Sequence, residues 1–111
     1  MALVLEDVEN YEGAEQGLRD VIGGSERVFG KEHPNTLAGM DMLSLIYKKK
    51  KQWKDAEKLV VQVIETRKRV QGADYSDTLR SMANLASIWR DQGNYREADK
   101  LNMMTRLLKQ R

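Results

Sequence analysis

The sequence predicts an all-α fold, an α-solenoid in which antiparallel helix pairs stack along one axis. Residues 51–92 laid over residues 9–50, a shift of 42 positions, show the same residue types at many of the same places. A fixed period of this size is typical of solenoid proteins. Within each copy, apolar residues recur at three- and four-residue steps, which is the spacing of one helical face. The apolar and polar alternation of a β-strand is nowhere sustained, so we expect helices throughout.

Size and composition are those of a small folded protein. With 111 residues we assign one domain, residues 1–111. Charged residues make up 32% of the chain and apolar residues 41%, which suits helices that bury one face and hydrate the other. Nineteen basic and 17 acidic residues leave a net charge of +2, too balanced for the positive field of a nucleic-acid binder.

Two further features limit the compartment and the chemistry. The chain has no cysteine, which excludes disulfides, thiolate metal ligands and a cysteine nucleophile. The apolar stretch Met1–Leu5 is short and is followed at once by Glu6 and Asp7, so we predict neither a signal peptide nor a membrane span. We therefore expect a cytoplasmic protein with no membrane partner and no nucleic-acid partner.

The chain begins inside a repeat, because residues 1–8 match residues 43–50, the second half of a predicted helix. We predict a short N-terminal helix over these eight residues and a second helix from Tyr11 to about Val28. Roughly five helices are expected, with the short N-terminal one counted among them. The predicted repeats are a partial copy at 1–29 and full units at 34–71 and 76–110.

Glycine and proline mark the connectors between helices. Gly30 can adopt the left-handed geometry of a helix end, and His33-Pro34 marks the next helix start, where proline is tolerated. Tyr75-Ser76 stands where His-Pro would recur, so we expect the second connector to be less rigid. There, Ser76 or Asp77 is predicted to cap the helix by accepting a hydrogen bond from its free backbone N–H groups.

Two stretches carry a resemblance to a known family. The run from Thr78 to Leu101 resembles a tetratricopeptide repeat of the kinesin light chain type. The run from Val28 to Leu37 contains that family's connector, G-x-x-H-P-x-T. In that type the period is 42 residues rather than the standard value of about 34. The sequence is also similar to repeat arrays of fungal nucleotide-binding signalling proteins, because it contains the motif T-L-x-S-M-A-N-L-A.

The resemblance implies a tetratricopeptide-like superhelix whose first helix in each pair lines a concave groove for an extended peptide. Carried over by position, the inner surface contains Ala38 and Met42 on one helix and Ala83 and Arg90 on the next. We expect Asn84 to hydrogen-bond a peptide backbone, and Arg80, one turn earlier, to bind a carboxylate. The alternative is that this arginine and asparagine only hydrate the inner surface. The predicted groove residues are Asp41, Leu45, Lys48, Arg80, Asn84 and Ser87.

Other polar residues have simpler explanations. His33 is the only histidine, and without cysteine it lacks the ligands of a zinc site, so we expect it to pack or cap a helix. Lys48–Lys51 is interpreted as a solvated corner. No nucleophile with a base and no metal cluster is apparent. We therefore predict no enzyme activity, no catalytic residue, no metal and no cofactor.

The two ends of the repeat array differ in the sequence. Asn102 and Thr105 replace apolar residues of the previous copy, Val60 and Val63, as a solvated last helix would require. The truncated leading helix leaves apolar surface uncovered, so we expect either a homo-oligomer through the N-terminal end or an upstream portion.

We predict a non-catalytic interaction module that binds an extended peptide or a partner helix in the concave groove. The alternative is a structural spacer or oligomerisation fragment of a longer repeat array, with no groove ligand of its own.

Overall fold

The computed structural model describes the backbone of residues 2–110 and the side chains of residues 11–110. Over this range the chain forms helices joined by short connectors, with no strand, and each helix packs against the next in the sequence. Short connectors make successive helices antiparallel neighbours. The prediction of an all-α solenoid is confirmed. The helices are α1 (Ala2–Phe29), α2 (Pro34–Lys49), α3 (Trp53–Val70), α4 (Ser76–Asp91) and α5 (Tyr95–Lys109).

The helices form two layers. The backbones of α2 and α4 approach each other directly, in addition to their contacts with the helices next to them in the chain. Within the described range, no such approach joins α1 to α3 or α3 to α5. The layer whose members touch lies on the inside of the curve, so α2 and α4 form the concave side. Helices α1, α3 and α5 form the outer layer.

The hydrophobic core is centred on α3, α4 and α5. Ala56 and Val60 of α3, Ile88 of α4 and Ala98 of α5 all have 0% exposure. They belong to one cluster, against which the half-buried Trp53 packs. Complete burial of a large aliphatic side chain stabilises a fold by about 1.5–3 kcal/mol. This cluster therefore holds the pair α4 and α5 against α3, the outer helix of the preceding pair.

Both long connectors are built in the same way. Gly30 and Gly72 adopt φ values of 99° and 105°, which disfavour residues with a Cβ atom. Thr36 donates a side-chain hydrogen bond of 2.9 Å to the carbonyl of Gly30, and Thr78 donates one of 2.8 Å to the carbonyl of Gly72. Both threonines have 0% exposure. The threonine thus closes each connector onto the first turn of the following helix.

The second connector keeps the geometry of the first without the His-Pro pair. His33 and Tyr75 occupy the N-cap positions with φ, ψ values of −69°, 143° and −69°, 142°. The side chain of His33 accepts a hydrogen bond of 3.1 Å from the Asn35 N–H, whereas Tyr75 makes no such bond. The prediction that Ser76 or Asp77 caps α4 is wrong, because α4 already begins at Ser76 and the cap position belongs to Tyr75.

The N-terminal region also differs from its prediction. A short helix followed by a second one from Tyr11 was expected, but α1 is one continuous helix of 28 residues. The other two hairpins reverse at Lys51, with φ 64°, and at Gly93, with φ 90°. The matching residue in the first copy is Glu9. Glu9 lies inside α1, so the helix continues through the position at which the other two hairpins turn.

Candidate functional site

The concave face is formed by two equivalent stripes on α2 and α4. In each stripe, residues three or four positions apart lie on the same side of the helix. A shift of 42 residues superposes one stripe on the other. All members are exposed or half-buried. Because α2 and α4 are direct neighbours, the stripes together make one continuous surface. The stripe on α2 consists of Ala38, Met42, Leu45 and Lys49, and the stripe on α4 consists of Arg80, Asn84, Ser87 and Asp91.

Four of the six predicted groove residues lie on this surface. Leu45 is half-buried on α2, and Asn84 and Ser87 are half-buried on α4. Arg80 is the most open of them, with 70% of its side chain exposed and one weak ion pair of 3.6 Å to Asp77. The surface therefore combines an exposed cation, an amide and a hydroxyl on one helix with an aliphatic side chain on the other.

Asp41 was predicted in the groove but is buried beneath it, with 6% exposure. Its Oδ2 atom accepts a hydrogen bond of 2.8 Å from Ser81 and one of 3.3 Å from Arg67. Arg67 is itself only 3% exposed and lies 3.5 Å from Asp77. Asp41 faces α4 because its position on α2 points toward the next inner helix, not toward the open side. The carboxylate ties together α2, α3 and α4.

The surroundings of Asp41 change its acidity. Burial raises the pKa of the Asp41 carboxyl, because removal from water disfavours the charged form. The hydrogen bond from Ser81, the charge of Arg67 and the amide of Asn84 lower this pKa, but they offset the burial only in part. Asn84 thus lies near the buried carboxyl and is half-buried on the concave face.

Lys48 was also predicted in the groove, and it lies at the contact between the two inner helices. Its Nζ donates a hydrogen bond of 2.7 Å to Oγ of Ser87 and lies 3.9 Å from Oδ2 of Asp91. The side chain is largely buried, with 19% exposure. Lys48 thus orients the Ser87 hydroxyl. Because the oxygen of Ser87 accepts from Lys48, its proton is available to a ligand on the concave face.

A second groove lies beside Arg80, at the C-terminal end of the helix stack. It has a volume of about 600 Å³ and is bordered by Arg80, Ala83, Leu108 and Lys109, among others. Ala83 and Lys109 occupy the repeat positions of Asp41 and Arg67. In the previous copy those two positions are covered by α4. The groove therefore lies at the repeat position that α4 occupies in the previous copy.

Met42, Lys49 and Asp91 belong to the concave face but were not among the predicted site residues. Met42 is 56% exposed, an unusual fraction for a large apolar side chain on an inner helix. The Nζ atom of Lys49 lies 5.8 Å from the centre of the Tyr11 ring. The 42-residue match to Asn84 had placed Met42 on the inner surface, although it was not among the six predicted groove residues.

His33 has the structural role that the sequence indicated. Besides capping α2, its ring stacks on Phe29, with ring centres 4.4 Å apart. Among residues 11–110, whose side chains the structure describes, no group of three or more is placed to ligate a metal. Among the helices described, none combines the length and the apolar character of a membrane span.

Comparison with known proteins agrees with this architecture. Family models described as tetratricopeptide repeat match residues 43–104 and, separately, residues 1–35. No curated protein sequence matches the chain. Two solved structures superpose on it with a TM-score of 0.79 and 24% identity, over 90% of this chain and 47% of theirs. Both belong to a Podosopora anserina protein assigned as a kinesin light chain with nearly identical TPR-like repeats, and one of the two is a point variant of the other.

The chain spans about half the length of those two structures, and the similarity to them is one of fold. The family models cover more than half of the residues, and the helix pairs repeat with the 42-residue period on which the resemblance was based. The expected repeat type is thereby confirmed. This chain belongs to the tetratricopeptide repeat family.

Proposed function

We propose that this chain is a non-catalytic protein–protein interaction module that binds an extended peptide across the concave face of α2 and α4. The observation that carries the proposal is that exposed and half-buried polar groups on α4 lie beside exposed and half-buried apolar groups on α2. A peptide that crosses both helices meets Asn84 and Arg80 on one side and Met42 and Leu45 on the other.

The chemistry of these groups indicates what kind of peptide would fit. The amide of Asn84 offers both an acceptor and a donor, so it can hydrogen-bond a peptide backbone without regard to its sequence. Arg80 can form a charge-assisted bond to an acidic side chain or a terminal carboxylate. Met42 offers a flexible apolar surface, and such surfaces accommodate different side chains. We therefore infer an extended ligand that carries both an acidic residue and an apolar one.

The interaction can be tested by selecting peptides from a library and measuring their affinity for the 111-residue chain by fluorescence anisotropy. Loss of a hydrogen bond to a charged group corresponds to about 1.5–3 kcal/mol, so Arg80→Ala should weaken binding by about tenfold or more. Asn84→Ala should weaken binding of every selected peptide, whatever its sequence. Arg96→Ala, an exposed arginine on α5, serves as the matched control and should leave affinity unchanged.

A second candidate is a spacer or oligomerisation segment within a longer repeat array, with no ligand on the concave face. The C-terminal groove favours it, because Ala83 and Lys109 stand in positions that an inner helix covers in the previous copy. The same library distinguishes the two functions. If the wild-type chain selects no peptide, or if Arg80→Ala and Asn84→Ala bind as well as Arg96→Ala, the concave-face proposal fails and the spacer is favoured.

A further inference from the structure

The outer helix α1 leaves open a face that is buried in the other outer helices. Ala56 of α3 and Ala98 of α5 have 0% exposure, whereas their repeat equivalent, Ala14, is exposed. Val63 has 0% exposure and Thr105 has 9%, whereas the equivalent Val21 is 57% exposed. These positions share one side of each outer helix. We call the side that contains Ala14 and Val21 the open face of α1.

The open face is the one on which a preceding inner helix would pack. α1 contacts α2 through its other side, where Glu15 bonds Lys50 and Arg19 bonds Tyr47. In α3 the corresponding positions are buried because α3 has an inner helix on both sides, α2 before it and α4 after it. The open face of α1 therefore requires the inner helix of its own copy.

Residues 2–8 match part of that helix, but they do not lie where they would cover the face. By the repeat, residues 2–8 correspond to residues 44–50, the second half of α2. In the structure, residues 2–8 continue the axis of α1 beyond the turn position at Glu9. They point away from Ala14 instead of folding back over it. The repeat therefore pairs residues 2–8 with the open face of α1. Within one molecule the continuous helix keeps the two apart.

We propose that a second copy of this chain supplies the covering segment, in a domain-swapped dimer that exchanges residues 2–8. The two α1 helices lie antiparallel and cross at residues 9 and 10. Each N-terminal segment covers the N-terminal part of the open face of its partner, around Ala14. Such an exchange of identical elements is an established route to a symmetric dimer.

The register of the exchange follows from the hairpins already present. In the α2–α3 hairpin the chain reverses at Lys51 and Gln52, and Tyr47 packs on the cluster that contains Ala56. A shift of 42 residues places residue 5 opposite Ala14. When residue 5 of one molecule opposes Ala14 of the other, the reverse contact forms as well. The arrangement therefore closes on itself with a two-fold axis between residues 9 and 10, and it does not continue into a fibre.

The turn position provides a sharp test, because Gly93-Asn94-Tyr95 matches Glu9-Asn10-Tyr11. The substitution Glu9→Gly therefore gives the first copy the turn sequence of the third. With that turn, residues 2–8 can fold back over their own Ala14, and the need for a second molecule disappears. Glu12→Gly is the matched control, since it places the same glycine in the same helix but away from the turn.

The measurement is the molar mass in solution, by sedimentation equilibrium over a range of concentrations, with helix content checked by circular dichroism. The wild type and Glu12→Gly should be dimeric, and Glu9→Gly should be monomeric. Ala14→Arg, which places a charged side chain on an exposed position of a good helix, should also be monomeric with unchanged helix content.

Three results would overturn the proposal. The first is a wild-type chain that stays monomeric at several hundred micromolar, which would leave the open face to an upstream portion of a longer chain. The second is a dimer that survives Ala14→Arg, which would place the contact elsewhere, such as the C-terminal groove. The third is equal dissociation by Glu9→Gly and Glu12→Gly, which would reflect a weakened helix and not a restored turn.

Discussion

Ser81 on α4 donates a hydrogen bond of 2.8 Å to Oδ2 of Asp41 on α2, and this bond joins the two inner helices inside the protein. The same oxygen lies 3.3 Å from Arg67 on α3. One carboxylate thus connects three helices. The network fixes the position of α4 relative to α2, and with it the distance between the two stripes of the concave face.

Removal of Asp41 should therefore strongly destabilise the fold. In Asp41→Ala the guanidinium of Arg67, only 3% exposed, loses its buried partner and keeps only Asp77 at 3.5 Å. Breaking a buried ion pair from one side costs about 3–5 kcal/mol. Chemical denaturation should show a loss of this size, whereas Asp99→Ala, at an exposed surface pair, should stay within about 0.5 kcal/mol of wild type. Equal stabilities of the two variants would mean that the network contributes little.

The acidity of Asp41 predicts an unusual pH dependence. Burial raises its pKa above the ordinary value of 3.8, so the folded state holds the proton more tightly than the unfolded state. The stability contributed by this group is fully present below pH 3.8 and is lost as the pH rises through the raised pKa. The free energy of unfolding of wild type relative to Asp41→Asn should therefore decrease as the pH rises through this window. An increase would show that the pKa is instead lowered in the folded protein.

Glu15 should behave in the opposite way. Its carboxylate accepts a hydrogen bond of 2.7 Å from Lys50 and another from Arg19, and these contacts lower its pKa below 4.5. The resulting stability is present above pH 4.5 and disappears as the pH falls through the lowered pKa. Glu15→Gln should be slightly less stable than wild type at pH 7 and equal to it in strong acid. Glu57→Gln, the same change at the matching position of α3, is the control and should show a smaller difference at pH 7.

The two connector threonines should contribute alike to stability. Thr36→Val and Thr78→Val keep the side-chain shape but remove the hydroxyl that donates to the carbonyl of Gly30 or Gly72. Each should lower the free energy of unfolding by about 1–2 kcal/mol. Thr66→Val removes a bond to the Gln62 carbonyl inside α3 and should cost clearly less. A large difference between Thr36→Val and Thr78→Val would contradict the structural equivalence of the connectors.

Local signals in the sequence were sufficient to determine the helices and their connectors. The apolar spacing placed α3, α4 and α5 because a helix that buries one face must repeat that face every three or four residues. The glycines at 30 and 72 marked connectors because a positive φ is unfavourable for residues with a Cβ atom. The 42-residue period then determined that the helix pairs stack, since each pair can bury its apolar face only against the next.

Only the tertiary structure decided which surfaces are open. Asp41 and Ala83 hold the same repeat position, yet Asp41 is buried and Ala83 is exposed. A sequence pattern gives the direction of a side chain on its own helix, but not whether another helix lies in that direction. α4 follows α2 and covers Asp41, whereas within residues 2–110 no inner helix follows α4. For the same reason, Ala14 and Ala56 are alike in the repeat but differ in burial. In α1, residues 2–8 continue the helix and do not turn back at the position where the other hairpins reverse.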